Sequence, residues 1–98
     1  MPKLRTGRIV MTRGVLEEVA DNEDFSAFVF KSLKRHINCD WGDVDDEDKE
    51  INDSALKHKL RILSAYNDER FPKQGISNLW IITEADRSST TILFPDEY

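Results

Sequence analysis

Leu79-Trp80-Ile81-Ile82-Thr83-Glu84-Ala85-Asp86-Arg87-Ser88-Ser89-Thr90-Thr91-Ile92-Leu93-Phe94 holds two runs rich in β-branched and aromatic residues. Leu79–Glu84 and Ser89–Phe94 read as strands, and Ala85-Asp86-Arg87-Ser88 between them reads as a hairpin turn. If Glu84 pairs with Ser89, alternation along the strands sets the rest. Thr83 faces Thr90, Ile81 faces Ile92 and Leu79 faces Phe94. That apolar face is expected to meet helices. The opposite face carries Trp80, Ile82, Glu84, Ser89, Thr91 and Leu93, and is expected to be half solvated with a large apolar end. A bulge would exchange the two faces.

Upstream, Leu60–Tyr66 is apolar on both faces, which suggests a central strand. Residues 67–77, with Pro72 and Gly75, read as a loop. Phe25, Phe28, Val29, Leu33 and Ile37 make one apolar stripe and predict a helix over 23–37. Asn22 is its expected N-cap, with Glu23 and Asp24 at the positive end of the dipole. A second helix is expected over 46–58, capped by Asp45, with Asp46, Glu47 and Asp48 in its first turn. Ile51, Ala55 and Leu56 would form its buried stripe, and Asp53 would pair with Lys57. Residues 8–13 read as a short strand broken by Gly14. One or two helical turns through Val15, Leu16 and Val19 would follow. The expected fold is a single α+β domain over 1–98, in two layers. Two main helices pack on an antiparallel sheet of three or four strands.

The 98 residues carry a net charge of −5, with charge in blocks: +4 over 1–13, −5 over 14–24 and −7 over 40–53. A chain this acidic has no general attraction for a phosphate backbone, so nucleic acid is disfavoured as a partner. The single cysteine, Cys39, excludes an intramolecular disulfide. No apolar run exceeds four residues, so neither a signal peptide nor a membrane span is expected, and the cytoplasm is the expected location.

The ending Trp80–Tyr98 resembles that of a family of small bacterial proteins often labelled plasmid-related, or loosely as type I restriction-system subunits. Met11-Thr12-Arg13-Gly14, His36 with Asp40-Trp41-Gly42-Asp43, Glu47-Asp48 with Asn52, and Leu63-Ser64-Ala65-Tyr66 match as well. The resemblance implies a bacterial, mobile-element context and no mechanism. The restriction label does not transfer, because the chain has no room for a methyltransferase domain and no glycine-rich cofactor fingerprint.

Candidate chemistry is sparse, and no cofactor or metal is expected. His36 and Cys39 have a His-x-x-Cys spacing, but the only other histidine is His58, short of a four-ligand zinc set. A Cys39 nucleophile served by His36 or His58 has no supporting flank. Asp43–Asp48 lacks the glycine and the bidentate glutamate of a calcium loop and reads as a helix cap. Trp41 reads as a core anchor or a recognition residue. The hairpin tip is the best functional candidate, with Glu84, Asp86, Arg87 and Ser88 beside Trp80. Arg87 has the fork to bind a carboxylate or phosphate, or to pair with Glu84 across the turn.

The reading that results is a non-enzymatic protein-interaction or regulatory module with a protein partner of unstated identity. A homodimer through the sheet is a second arrangement, motivated by outward Trp80, Ile82 and Leu93. The alternatives are a metal-assisted hydrolase or nuclease-like enzyme using Glu84, Asp86 and Arg87 with His36, and a weak DNA binder. The latter would use Lys31, Lys34, Arg35, Lys57, Lys59 and Arg61.

Overall fold

The computed structural model describes residues 3–71 and 78–98, so Pro72 and Gly75 of the expected loop lie outside the described residues. Strand β1 (Arg8–Met11) leads into helices α1 (Arg13–Asp21), α2 (Glu23–Ile37) and α3 (Asp46–His58). Strands β2 (Ile62–Asn67), β3 (Asn78–Thr83) and β4 (Ser89–Leu93) follow, and Pro95–Glu97 forms a closing 3-10 turn. The sheet order is β1-β4-β3-β2. β3 is antiparallel to both neighbours, whereas β1 runs parallel to β4, so the sheet is mixed.

The hairpin has the register that alternation requires. Thr83 pairs with Thr90 and Ile81 with Ile92, and the Glu84 N–H donates to the Ser89 carbonyl at 3.0 Å. Leu79, Ile81, Ile92 and Phe94 join Tyr66, Phe25, Phe28 and Val29 in one buried cluster, so α2 lies on the expected face. Asn22 Oδ1 accepts from the Phe25 N–H at 3.1 Å and fixes where α2 starts. Its buried line is Phe25, Phe28, Val29, Ser32 and His36, so two polar side chains enter the core.

Four expectations are corrected. β2 is an edge strand, not a central one: Ile62, Ser64 and Tyr66 are buried in the core, while Leu63 and Ala65 are half-buried on the other face. The face of Trp80, Ile82 and Leu93 is not open. Ile82 is 2% and Leu93 4% exposed, and the chain after β4 turns back so that the Tyr98 ring meets Trp80 edge-on at 5.8 Å. This removes the apolar patch that motivated a dimer through the sheet face. In α3 the buried residues are Asn52 and Ala55, whereas Ile51 is 54% exposed. Helix α1 is a full nine residues and starts at Arg13, so Gly14 lies inside it instead of ahead of one or two turns. The Glu97 carboxylate accepts from the Gly14 N–H and the Thr12 hydroxyl at 3.0 and 2.6 Å, anchoring the first turn of α1.

Candidate functional site

Three places hold the polar groups singled out by sequence: a buried hydroxyl–imidazole chain, the hairpin tip, and the two edges of the sheet.

His36 projects from the buried face of α2 onto the sheet and is fully buried. Its Nδ1 meets Ser64 Oγ at 2.5 Å and its Nε2 meets Thr83 Oγ1 at 2.8 Å. Thr83 Oγ1 lies 2.7 Å from Thr90 Oγ1, and Thr90 donates to the Thr6 carbonyl at 2.8 Å. The carbonyl can only accept, so Thr90 spends its one proton there and must accept from Thr83. Thr83 then accepts from Nε2–H, and Ser64 donates to Nδ1. Every hydroxyl donates once, which fixes the Nε2–H tautomer. Burial, and then the charge of Arg87, lower the His36 pKa to about 4, so the ring is neutral. With both ring nitrogens engaged, His36 is not placed to ligate a metal with Cys39. Burial and the charge of Asp53 push the Cys39 thiol up, away from the thiolate a nucleophile needs. Among the described residues no group of three or more His, Cys, Asp or Glu side chains could hold a metal ion.

Trp41 is 4% exposed, sits edge-on to His36 at 5.8 Å between ring centres, and donates its Nε1–H to Asp53 at 2.9 Å. It is the core anchor of the connector before α3. That contact also occupies the carboxylate expected to pair with Lys57.

At the hairpin tip the polar side chains diverge. Arg87, at a left-handed φ of 61°, donates to the carbonyls of Leu60 at 2.7 Å, Ala55 at 3.0 Å and Glu84 at 3.1 Å. Its fork adds a charged donor at the C-terminal end of α3, where the Ala55 carbonyl also accepts from the Leu60 N–H at 3.0 Å. Asp86 accepts from the Ser88 N–H at 3.0 Å and shapes the turn. Glu84 reaches Arg61 at 3.7 Å, and Arg61 donates to the Tyr98 hydroxyl at 2.8 Å. Glu84, Asp86 and Arg87 therefore have separate partners and no shared ligand position. Of the proposed basic face, Arg35 is held bidentately by Asp40 at 2.8 and 3.2 Å. Lys31 and Arg35 line a groove of about 180 Å³ with Arg70, whose guanidinium is bound by Asp68 at 2.7 Å.

The two edges of the sheet are treated in opposite ways. On β2, alternation turns the main chains of Leu63, Ala65 and Asn67 outward. The Asn52 amide donates to the Leu63 carbonyl at 2.8 Å and accepts from the Leu63 N–H at 3.4 Å. Ala65 donates to the Trp41 carbonyl at 3.3 Å and accepts from the Asp43 N–H at 2.7 Å. Asp43 Oδ2 takes the Asn67 N–H at 2.8 Å. Gly42, at φ 75°, allows this approach: a Cβ there would lie 2.1 Å from the Ala65 carbonyl oxygen. The β2 edge is thus closed by side chains and a connector.

Among the described residues the β1 edge is open. Arg8 N–H donates to the Ser88 carbonyl and Thr12 N–H to the Ile92 carbonyl, each at 3.0 Å. Alternation then points the Ile9 and Met11 main chains away from β4. Among the described residues nothing hydrogen-bonds them on that side. Ile9 and Val10 are 43% and 40% exposed. Sequence reading finds the strand but not its position in the sheet, because the parallel β1–β4 pairing joins opposite ends of the chain. The signal for the closed edge was present: Asn52 is a poor helix former in the middle of α3.

Comparison of the chain with protein-family models, with curated proteins and with solved structures found no match in any of the three.

Proposed function

We propose that this chain is a protein-interaction module that receives a partner's extended segment on the free edge of β1. One observation carries the reading: the edge at β2 is closed by Asn52 and residues 41–43, while among the described residues the edge at β1 leaves Ile9 and Met11 unpaired. An uncovered strand edge with exposed apolar residues is a template for pairing, and strand addition is a recurrent mode of peptide recognition. A small adaptor of this kind fits the mobile-element context that the Trp80–Tyr98 ending implies.

The test uses a photo-reactive benzoylphenylalanine at Val10 of the full chain, in its native host. A discrete adduct is expected, competed away by unlabelled wild type but not by the Ile9→Pro chain. Ile9→Pro removes only an outward N–H, and proline is tolerated on edge strands. No adduct, or competition by Ile9→Pro as effective as by wild type, overturns the proposal.

A further inference from the structure

We propose that the groove between α2 and the segment following β2 binds a phosphomonoester dianion. This groove lies at the β2 side of the sheet order, away from the β1 edge. Lys31 and Arg35, one turn apart on α2, line it together with Asn67, Asp68 and Arg70. Three cations against one carboxylate leave the lining with two positive charges, in a chain whose net charge is −5. Asp24, Asp40 and Asp43 do not line it. The two guanidiniums are held in place before any ligand arrives. Arg35 gives Nε and Nη2 to Asp40 and lies over the Tyr66 ring at 5.0 Å. Arg70 gives Nε and Nη2 to Asp68 and lies over the Phe71 ring at 5.1 Å. Each leaves Nη1 without a hydrogen bond among the described residues. Ordering such side chains on binding therefore costs little. Lys31 is exposed and makes no ion pair among the described residues, so a ligand gains its charge without breaking an existing contact. That charge falls inside the groove: it helps hold Asp68 below the usual carboxylate range, behind the larger effect of the Arg70 hydrogen bond.

Charge and size select the ligand class. A phosphomonoester carries about −1.5 to −2 near neutral pH and presents three acceptor oxygens, which answers two net charges and three cationic donors. A carboxylate brings half that charge, and Asp68 already supplies one. The groove, at about 180 Å³, is smaller than the roughly 300 Å³ at which pockets enclose a whole small molecule. It takes the phosphoryl group and leaves the remainder of the ligand outside. Free phosphate and a phosphorylated side chain share this chemistry.

The experiment titrates the full chain with inorganic phosphate and with a capped phosphoserine, at constant ionic strength set by chloride, and follows amide shifts by NMR. Saturable shifts are expected at Lys31, Arg35, Asn67 and Arg70. Lys31→Gln should weaken binding about five-fold, the scale of one exposed ionic contact. Lys34→Gln removes an exposed cation of the same helix that does not line the groove, and should leave binding unchanged. Neither lysine holds an ion pair, so both variants are expected to fold, which the amide spectrum reports directly. Tighter binding of phosphoserine assigns the ligand to a phosphorylated side chain, and tighter binding of phosphate assigns it to the free ion; either upholds the groove. Equal weakening by Lys31→Gln and Lys34→Gln reports a diffuse positive field and overturns the proposal. Shifts that do not saturate, or that fall outside these residues, overturn it as well.

Discussion

His36 Nε2 lies 2.8 Å from Thr83 Oγ1, and the proton on that contact belongs to the imidazole, because the chain of donors ends on the Thr6 carbonyl. A helix, three strands and the N-terminal arm are thereby joined by one run of hydrogen bonds. Each link depends on the next having its acceptor free.

Thr90→Val breaks that order at its last step. Valine keeps the shape but leaves the Thr83 hydroxyl without an acceptor and the Thr6 carbonyl without a donor. An orphaned buried polar group costs about 1–3 kcal/mol, and that loss is expected in urea unfolding. Thr90→Ser, which restores the hydroxyl, should recover most of it. Equal losses for the two variants would show that the methyl group, not the hydrogen bonds, matters at this position.

Stability should fall in acid before the carboxylates titrate. Burial first, and the Arg87 charge second, hold the folded pKa of His36 at about 4, against 6.5 for a free histidine. Between those values the unfolded chain binds the extra proton, so stability rises with pH there. The contribution of the neutral ring is complete above pH 6.5 and is lost as pH falls toward 4, a decline on the order of 3 kcal/mol. Asp40 and Glu97 are held below the usual carboxylate range, Asp40 chiefly by the Arg35 hydrogen bond. For Glu97, burial acts upward but is outweighed by hydrogen bonds from Thr12, Phe94 and Gly14. Their losses come at lower pH. Unfolding free energies at half-unit steps should show the slope in wild type and not in His36→Gln.

The local physics of the chain was legible and its long-range pairing was not. Both long helices follow from caps and periodicity, since Asn22 and Asp45 accept from the N–H three residues on. The hairpin register follows from alternation. What failed depends on contacts between distant segments. β2 looks central because it is apolar on both faces, yet it is an edge whose open bonds are filled by Asn52. Trp80, Ile82 and Leu93 look exposed because nothing local announces that Ile82 and Leu93 are buried and that Tyr98 returns to Trp80. At the hairpin tip, composition marks the polar residues but not their separate partners. The Arg87 fork binds main-chain carbonyls of α3 and of the connector after it, a use that no spacing in the sequence encodes.

Asn52→Leu should uncouple α3 from the sheet. The Leu63 N–H and carbonyl lose both partners, while the apolar surface near Leu63 grows. A destabilisation of about 1–3 kcal/mol is expected from the unpaired groups. Opening this edge should also promote strand-to-strand association, visible as a rise in scattering mass with concentration. Wild-type mass and wild-type stability together would mean that water replaces the amide at no cost.

Arg87→Met separates the structural and electrostatic effects of one side chain. Methionine keeps much of the aliphatic stem but returns nothing to the carbonyls of Ala55, Leu60 and Glu84. Hydrogen bonds to a charged donor contribute about 1.5–3 kcal/mol each in favourable settings. The loss should sit near the low end for the set, because the Leu60 end of the contact is exposed to water. The second effect has the opposite character. Arg87 is one of two causes holding the His36 pKa down, so its removal should raise that pKa. Burial is the larger cause and persists, so the new value should remain below 6.5. Imidazole carbon shifts followed against pH in wild type and Arg87→Met would read this directly. The acid limb of stability should shrink, its lower end rising with the folded pKa while its upper end stays at 6.5, since both report one proton. An unchanged His36 titration in a destabilised variant would leave Arg87 as a helix cap alone. A raised pKa would make the hairpin tip and the buried imidazole one electrostatic unit.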